Sequence, residues 1–131
     1  MLGNKVTVFN CIDKDRLADI LKRIRKIKVA LIGDMCLDIY WRADMTKSEL
    51  SRETPHFPLP VVEEWMSPEA GGNAVVNIAS LRPAKVYALG VIENDWRGNN
   101  LLQELDKLKI DTSGIFISCK RITNAYCKPL R

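Results

Sequence analysis

Two aspartates stand just past an apolar run, and their position suits them to chemistry. The run is Val29-Ala30-Leu31-Ile32; Gly33 ends it, and Asp34 and Asp38 follow. A branched apolar run too short for a buried helix reads as a strand covered on both faces of a parallel sheet. In open α/β sheets ligands sit outside the carboxyl ends of the strands, so acids at this point are placed to touch one. A carboxylate there can accept charge-assisted hydrogen bonds from vicinal hydroxyls. The plainer reading of the same stretch is a turn cap and a solvated surface acid.

A second stretch with chemical possibilities is Ala70-Gly71-Gly72-Asn73. Gly71 and Gly72 allow a ligand to approach the backbone without a Cβ in the way. They open a helical pattern whose free N–H groups favour anions or hydroxyl oxygens. Asn73 can donate and accept at once. The alternative is an ordinary helix cap. Arg52 suits a substrate phosphate, if the substrate carries one, or is a surface arginine. His56 reads as a rim residue rather than a base.

The elements that must position these residues alternate. Asp13 caps a helix whose Leu17, Ile20, Leu21, Ile24 and Ile27 share one face. After the first strand, residues 37–45 form a second extended piece. Pro58 and Pro60 mark residues 58–62 as an edge strand, continued by Glu63 to Met66 and broken at Ser67-Pro68-Glu69. The helix from Ala70 is apolar nearly all round and should be buried, with Pro83 ending it. Lys85 to Ile92 is another short buried strand. Glu93-Asn94-Asp95 is a turn and cap, followed by a helix with Leu101, Leu102, Leu105 and Leu108 on one stripe. Asp111 to Gly114 is a turn, Ile115 to Ile117 a third strand and Ile122 to Cys127 a fourth. This order implies βαβ units and a mainly parallel, Rossmann-like α/β fold of three layers. Residues 37–69 interrupt it as a small β flap over the ligand position. The flap's apolar residues need a partner surface, either the domain's own cleft or a second subunit.

Composition sets bounds on the function. The chain has 131 residues, 47% of them apolar, which matches one globular domain. No run approaches a membrane span, and Met1 to Asp13 show no secretory pattern. Cys11, Cys36, Cys119 and Cys127 form no C-x-x-C pair, and His56 is the one histidine. A zinc site is therefore not expected, the thiols read as free, and the compartment as a reducing cytoplasm. The net charge of +4 comes partly from Lys22 to Lys28, a solvated helix face rather than a nucleic-acid surface, since no aromatics interleave it. Gly-x-Gly-x-x-Gly does not follow the first strand, which argues against a dinucleotide domain.

Four stretches in order resemble the ribokinase-like sugar kinases, the PfkB family, over nearly all of residues 28–131. They are Gly33-Asp34-Met35-Cys36-Leu37-Asp38, Ala70-Gly71-Gly72-Asn73, Gly90 to Gly98, and Lys109-Ile110-Asp111-Thr112-Ser113-Gly114-Ile115. Within that family the chain is most similar to the heptose-7-phosphate kinases of ADP-heptose synthesis, through Tyr40-Trp41, Ser51-Arg52 and Pro58-Leu59-Pro60-Val61-Val62. The resemblance implies that Asp38, and secondarily Asp34, holds sugar hydroxyls, with Gly71, Gly72, Asn73 and Arg52 completing the substrate site. The substrate it implies is a sugar or sugar phosphate, phosphorylated with ATP and Mg.

This sequence also departs from the family pattern. Glu69 and Ala70 stand where the heptose subgroup has glycines, and Glu93 replaces another glycine. The second family signature, Asp-Thr-x-Gly-Ala-Gly-Asp, is absent, and with it the general base. The expectation is a single N-terminal portion of a ribokinase-like domain: an arm and helix over 1–27, a β lid over 37–69, and no nucleotide-binding part. It should bind a sugar without ATP or Mg and without catalysis, and self-associate through the lid or the open sheet edge. The alternative is a non-catalytic sugar-binding or interaction module acting with a separate partner.

Overall fold

The computed structural model describes residues 12–130. Most of the N-terminal arm expected over residues 1–12 therefore lies outside the described residues. The order is α1 (Lys14–Ile24), β1 (Lys28–Ile32), β2 (Met35–Ala43), β3 (Val61–Ala70), α2 (Gly71–Ser80), β4 (Lys85–Glu93), α3 (Trp96–Lys107), β5 (Asp111–Ser118) and β6 (Ala125–Leu130). A single 3-10 turn, Met45–Lys47, lies between β2 and β3.

These strands form two sheets. The first is parallel, in the order β1-β4-β5; the second has the order β3-β2-β6, with β2 antiparallel to β3 and parallel to β6. The expected flap is thus a three-stranded sheet whose third strand comes from the end of the chain. Strand β3 does not break at Ser67-Pro68-Glu69 but runs through to Ala70. It is an edge strand, where a residue without an N–H is tolerated. Asp111 to Gly114, expected as a turn, open β5 instead, with an irregularity opposite Tyr87 to Leu89.

One core joins both sheets and two helices. Met35, Leu37 and Ile39 enter it from β2, Val75 from α2, Val86, Ala88 and Ile92 from β4, and Leu101 and Leu105 from α3. The flap's need for a partner surface is met on that face by the domain's own helices. Helix α2 is less buried than its apolar sequence suggests, with only Gly72 and Val75 fully covered. Its Asn73 and Asn77 face outward and bond to each other at 3.2 Å.

Strand β1 departs further from expectation. It alternates between exposed and half-buried residues rather than being covered on both sides. It lies at the sheet edge, and the face of this sheet carrying Ile32 and Phe116 is open, leaving those residues 82% and 75% exposed. Helix α1 begins as expected, with Arg16 N–H donating to Asp13 Oδ1 at 2.7 Å, but none of its residues is buried.

Leu101 is completely buried at the junction of helix and both sheets. Leu101→Ala is expected to destabilise the chain by about 3 kcal/mol, seen as a lower urea midpoint at unchanged slope.

Candidate functional site

Strand β2 has a two-residue period, so the side chains between the core positions point to the opposite face. These are Cys36, Asp38 and Tyr40. Asp38 is only 1% exposed although it is an acid. Its Oδ2 accepts from Tyr40 Oη at 3.0 Å and pairs with Lys128 Nζ from β6. Its Oδ1 is buried and has no hydrogen-bond partner. Burial alone pushes this carboxyl up, but the hydrogen bonds from Lys128 and Tyr40 outweigh it and leave the group below its ordinary range. Around it lies an aromatic surface. Tyr40 stacks on Trp65 of β3 with ring centroids 5.4 Å apart and planes 6° from parallel. The Lys128 ammonium lies 5.2 Å from the Tyr40 ring centre.

Asp34 lies outside β1, on the turn into β2, and is largely exposed. Its Oδ2 accepts from Cys36 Sγ at 3.2 Å and Asn124 Nδ2 at 3.1 Å, and its Oδ1 is 3.6 Å from the Arg121 guanidinium. The hydrogen bonds from Cys36 and Asn124, then Arg121's charge, hold its carboxyl below the usual range against the opposing effect of partial burial. Burial and the Asp34 carboxylate push the Cys36 thiol up to about 11, so it is an unreactive group near neutral pH. A cleft of about 390 Å³ opens at the carboxyl ends of the parallel strands, lined by Gly33, Asp34, Gly90, Phe116 and Arg121 among others. Open α/β sheets hold ligands at this end of their strands; Asp38 is not among the residues lining the cleft.

The glycines at the start of α2 are closely packed against the chain itself. A Cβ on Gly71 would lie 2.7 Å from the Asp34 carbonyl oxygen, and one on Gly72 would lie 2.9 Å from the Pro68 side chain. Gly71 N–H donates to that Asp34 carbonyl at 2.8 Å. The helix is thereby fixed to the Asp34 turn. Ala70, just before it, has φ 50° and ψ −119° and gives α2 no side-chain cap. That backbone is costly for any residue with a Cβ.

Comparison with known proteins connects this arrangement to a fold. No family model matches the chain. It is 40% identical over 100 residues, 73% of its length, to the bifunctional protein HldE of Helicobacter pylori. It spans about 20% of that relative's length. Among solved structures, a Methanocaldococcus jannaschii nucleoside kinase, described as an archaeal member of the ribokinase family, superposes with TM-score 0.55 at 18% identity. That match covers 78% of this chain and 32% of the kinase. A Pyrococcus horikoshii sugar kinase in complex with ATP superposes with TM-score 0.55 at 22% identity, covering 80% of this chain and 31% of that one. The chain has the ribokinase-like fold.

In this ribokinase-like chain the Gly90 to Gly98 stretch has an architectural role. Asp95 caps α3, its Oδ1 accepting from Gly98 N–H at 2.7 Å, and its Oδ2 accepts from Thr123 N–H at 3.0 Å. Gly98 packs against the Glu93 carbonyl too closely for a Cβ. Glu93, standing where the family has glycine, needs no positive φ. Its carboxylate accepts from the Asn94 and Arg121 backbone N–H groups at 2.8 and 3.2 Å.

The structure joins Asp34 to the N-terminus of α2 through the Gly71 N–H bond to the Asp34 carbonyl, while Asp38 lies further along β2 with Tyr40 and Lys128. Asn73 is exposed on α2, with its oxygen already accepting from Asn77. Arg52 and His56 are exposed on the β2–β3 connection, and Arg52 makes no ion pair among the described residues. Sequence reasoning missed Lys128, Arg121, Asn124 and the Tyr40–Trp65 pair as parts of this region. The alternation along β2 does place Tyr40 beside Asp38, but nothing local reveals that β6 lies next to β2.

Two outcomes are expected. Ala70→Gly removes the backbone strain, less the extra entropy of an unfolded glycine, and should raise stability by about 1 kcal/mol, read from thermal melts. Asp38 has a depressed native pKa, so its contribution is complete above the unfolded value of about 4 and is lost as pH falls through the native value. Urea midpoints followed from neutral to acid should show the wild-type advantage over Asp38→Asn shrinking only on that acid limb.

Proposed function

We propose that the chain binds a sugar or sugar phosphate as the acceptor-binding part of a ribokinase-like sugar kinase, and does not transfer phosphate by itself. The observation that carries this reading is the buried, unpartnered Oδ1 of Asp38. An ionised oxygen already removed from water gains a charge-assisted bond when a hydroxyl reaches it. The neighbouring Tyr40–Trp65 surface offers an apolar wall with polar tips, which suits the mixed C–H and O–H surface of a sugar. The likeness to HldE, together with the heptose-kinase motifs, favours a heptose 7-phosphate. Arg121, paired with Asp34 at 3.6 Å, is a cation that suits its phosphate.

The resemblance also implies ATP and Mg. The sequence contains no Asp-Thr-x-Gly-Ala-Gly-Asp, the signature whose last aspartate the resemblance implies as general base. Phosphoryl transfer needs donor, acceptor and charge-neutralising groups held together, and the residues of this site supply the acceptor side of that set. No transfer step is therefore assigned to them.

Two further features belong to this reading. Parallel sheets are ordinarily covered on both faces, and the face bearing Ile32, Val91 and Phe116 is exposed. Self-association of the chain through this open sheet follows. Free thiols at Cys36, Cys119 and Cys127 suit a reducing cytoplasm, and no described helix is long and apolar enough to cross a membrane.

Calorimetric titration of the 131-residue chain with D-mannoheptose 7-phosphate should show saturable binding, weakened about tenfold or more by Asp38→Asn, the loss of a hydrogen bond to a charged group. Absence of wild-type binding to this and to a panel of ribose, fructose and their phosphates would overturn the sugar reading. Release of ADP from ATP in the presence of those sugars would overturn the assignment of no transfer. Sedimentation should show concentration-dependent association that the Ile32→Lys/Phe116→Lys variant reduces; a wild-type chain that stays monomeric throughout counts against the open-sheet contact.

A further inference from the structure

The two oxygens of Asp38 are not equivalent. Oδ2 has both donors, Tyr40 Oη and Lys128 Nζ, while Oδ1 has none. Lys128 stands in register with Tyr40 on the adjoining strand, so its side chain reaches the carboxylate from one side. The Tyr40 ring, itself stacked on Trp65, lies beside the ammonium. Lys128 keeps 43% of its side chain exposed while Asp38 is covered. An ammonium has three donors, and the carboxylate takes one. The pair is therefore open toward solvent on the lysine side, while Asp38 is covered, its unpaired Oδ1 included.

We infer that Lys128 is a positioning residue of the acceptor site, gripping Asp38 by Oδ2 so that Oδ1 is the oxygen presented to a sugar hydroxyl. The inference rests on the sugar-binding reading above and deepens it. A strap that merely joined β6 to β2 would not need to leave one buried oxygen free. The groups facing Asp38 are Tyr40 on its own strand, Lys128 on β6 and Glu69 on β3. Ser67 and Tyr126 stand across from it in register. Lys128 is the cation among them. Without it, burial loses the strongest of the effects that oppose it, and a proton on the acid would occupy the acceptor that the sugar needs.

The test is the pH dependence of D-mannoheptose 7-phosphate binding by wild type, Lys128→Met and Lys128→Arg, with folding checked by circular dichroism. Lys128→Met should weaken binding about tenfold and move the acid limit of binding upward by about one pH unit or more. Lys128→Arg keeps the charge and should return the acid limit to the wild-type position. If Lys128→Met does not fold, Asp38→Asn/Lys128→Met removes the buried charge together with its partner. That double variant should bind no more weakly than Asp38→Asn alone, because Lys128 acts through Asp38. Wild-type affinity and acid limit in Lys128→Met, or a double variant weaker than Asp38→Asn, overturns the positioning role alone. Failure of the wild-type chain to bind overturns it together with the sugar reading.

Discussion

A buried carboxylate must be ionised against the cost of leaving water, and here the group that achieves this lies 90 residues away in the chain. Asp38 sits on the middle strand of the second sheet, where its covering neighbours come from both sides. Burial favours the neutral acid, and the Lys128 hydrogen bond is the largest effect opposing it. The pairing therefore ties the chemistry of the site to the placement of β6, and the placement of β6 to the core that β2 builds on its other face. One strand serves both purposes through its two-residue period. Met35, Leu37 and Ile39 secure it against α2 and α3, while Cys36, Asp38 and Tyr40 form the polar face. A register slip of one residue would exchange the two sets.

The Asp34 turn is fixed differently, by contact rather than by charge. Gly71 packs directly on the Asp34 carbonyl and donates a hydrogen bond to it. The start of α2 and the end of the parallel sheet are thus one rigid junction. Ala70 holds a backbone conformation there that glycine would adopt more easily. The strain lies at the junction between the second sheet and the helix, where the close approach of Gly71 leaves little room for adjustment. Strain of this kind persists only where surrounding packing over-determines it, and Gly72 against Pro68 and Leu101 supplies that packing.

The open face of β1-β4-β5 is the opposite case, a surface with more apolar area than its surroundings cover. Ile32 and Phe116 project from it, and the unburied apolar stripe of α1 adds to the exposed area. Exposed patches of this kind mark interaction surfaces or association hazards. The chain spans about a fifth of the relative it matches in sequence and about a third of the kinases it matches in fold.

The sequence by itself determined the elements and their order. The short branched runs, the caps at Asp13 and Asp95 and the glycine pair that opens α2 are local signals, set by backbone geometry and hydrogen bonding within a few residues. They suffice to place Asp34 and Asp38 after the first strand and to reveal the ribokinase-like order of motifs. Local signals misled where position in the sheet decided the outcome. Pro68 reads as a break but is tolerated on an edge strand, and β1 reads as covered but borders an open face. The partners of the acids were decided only by tertiary structure. Lys128, Arg121 and Asn124 reach them because β6 pairs with β2, and that pairing depends on the shared core rather than on any neighbouring residue. The burial of Asp38, and the one oxygen it leaves free, follow from the same assembly of distant strands.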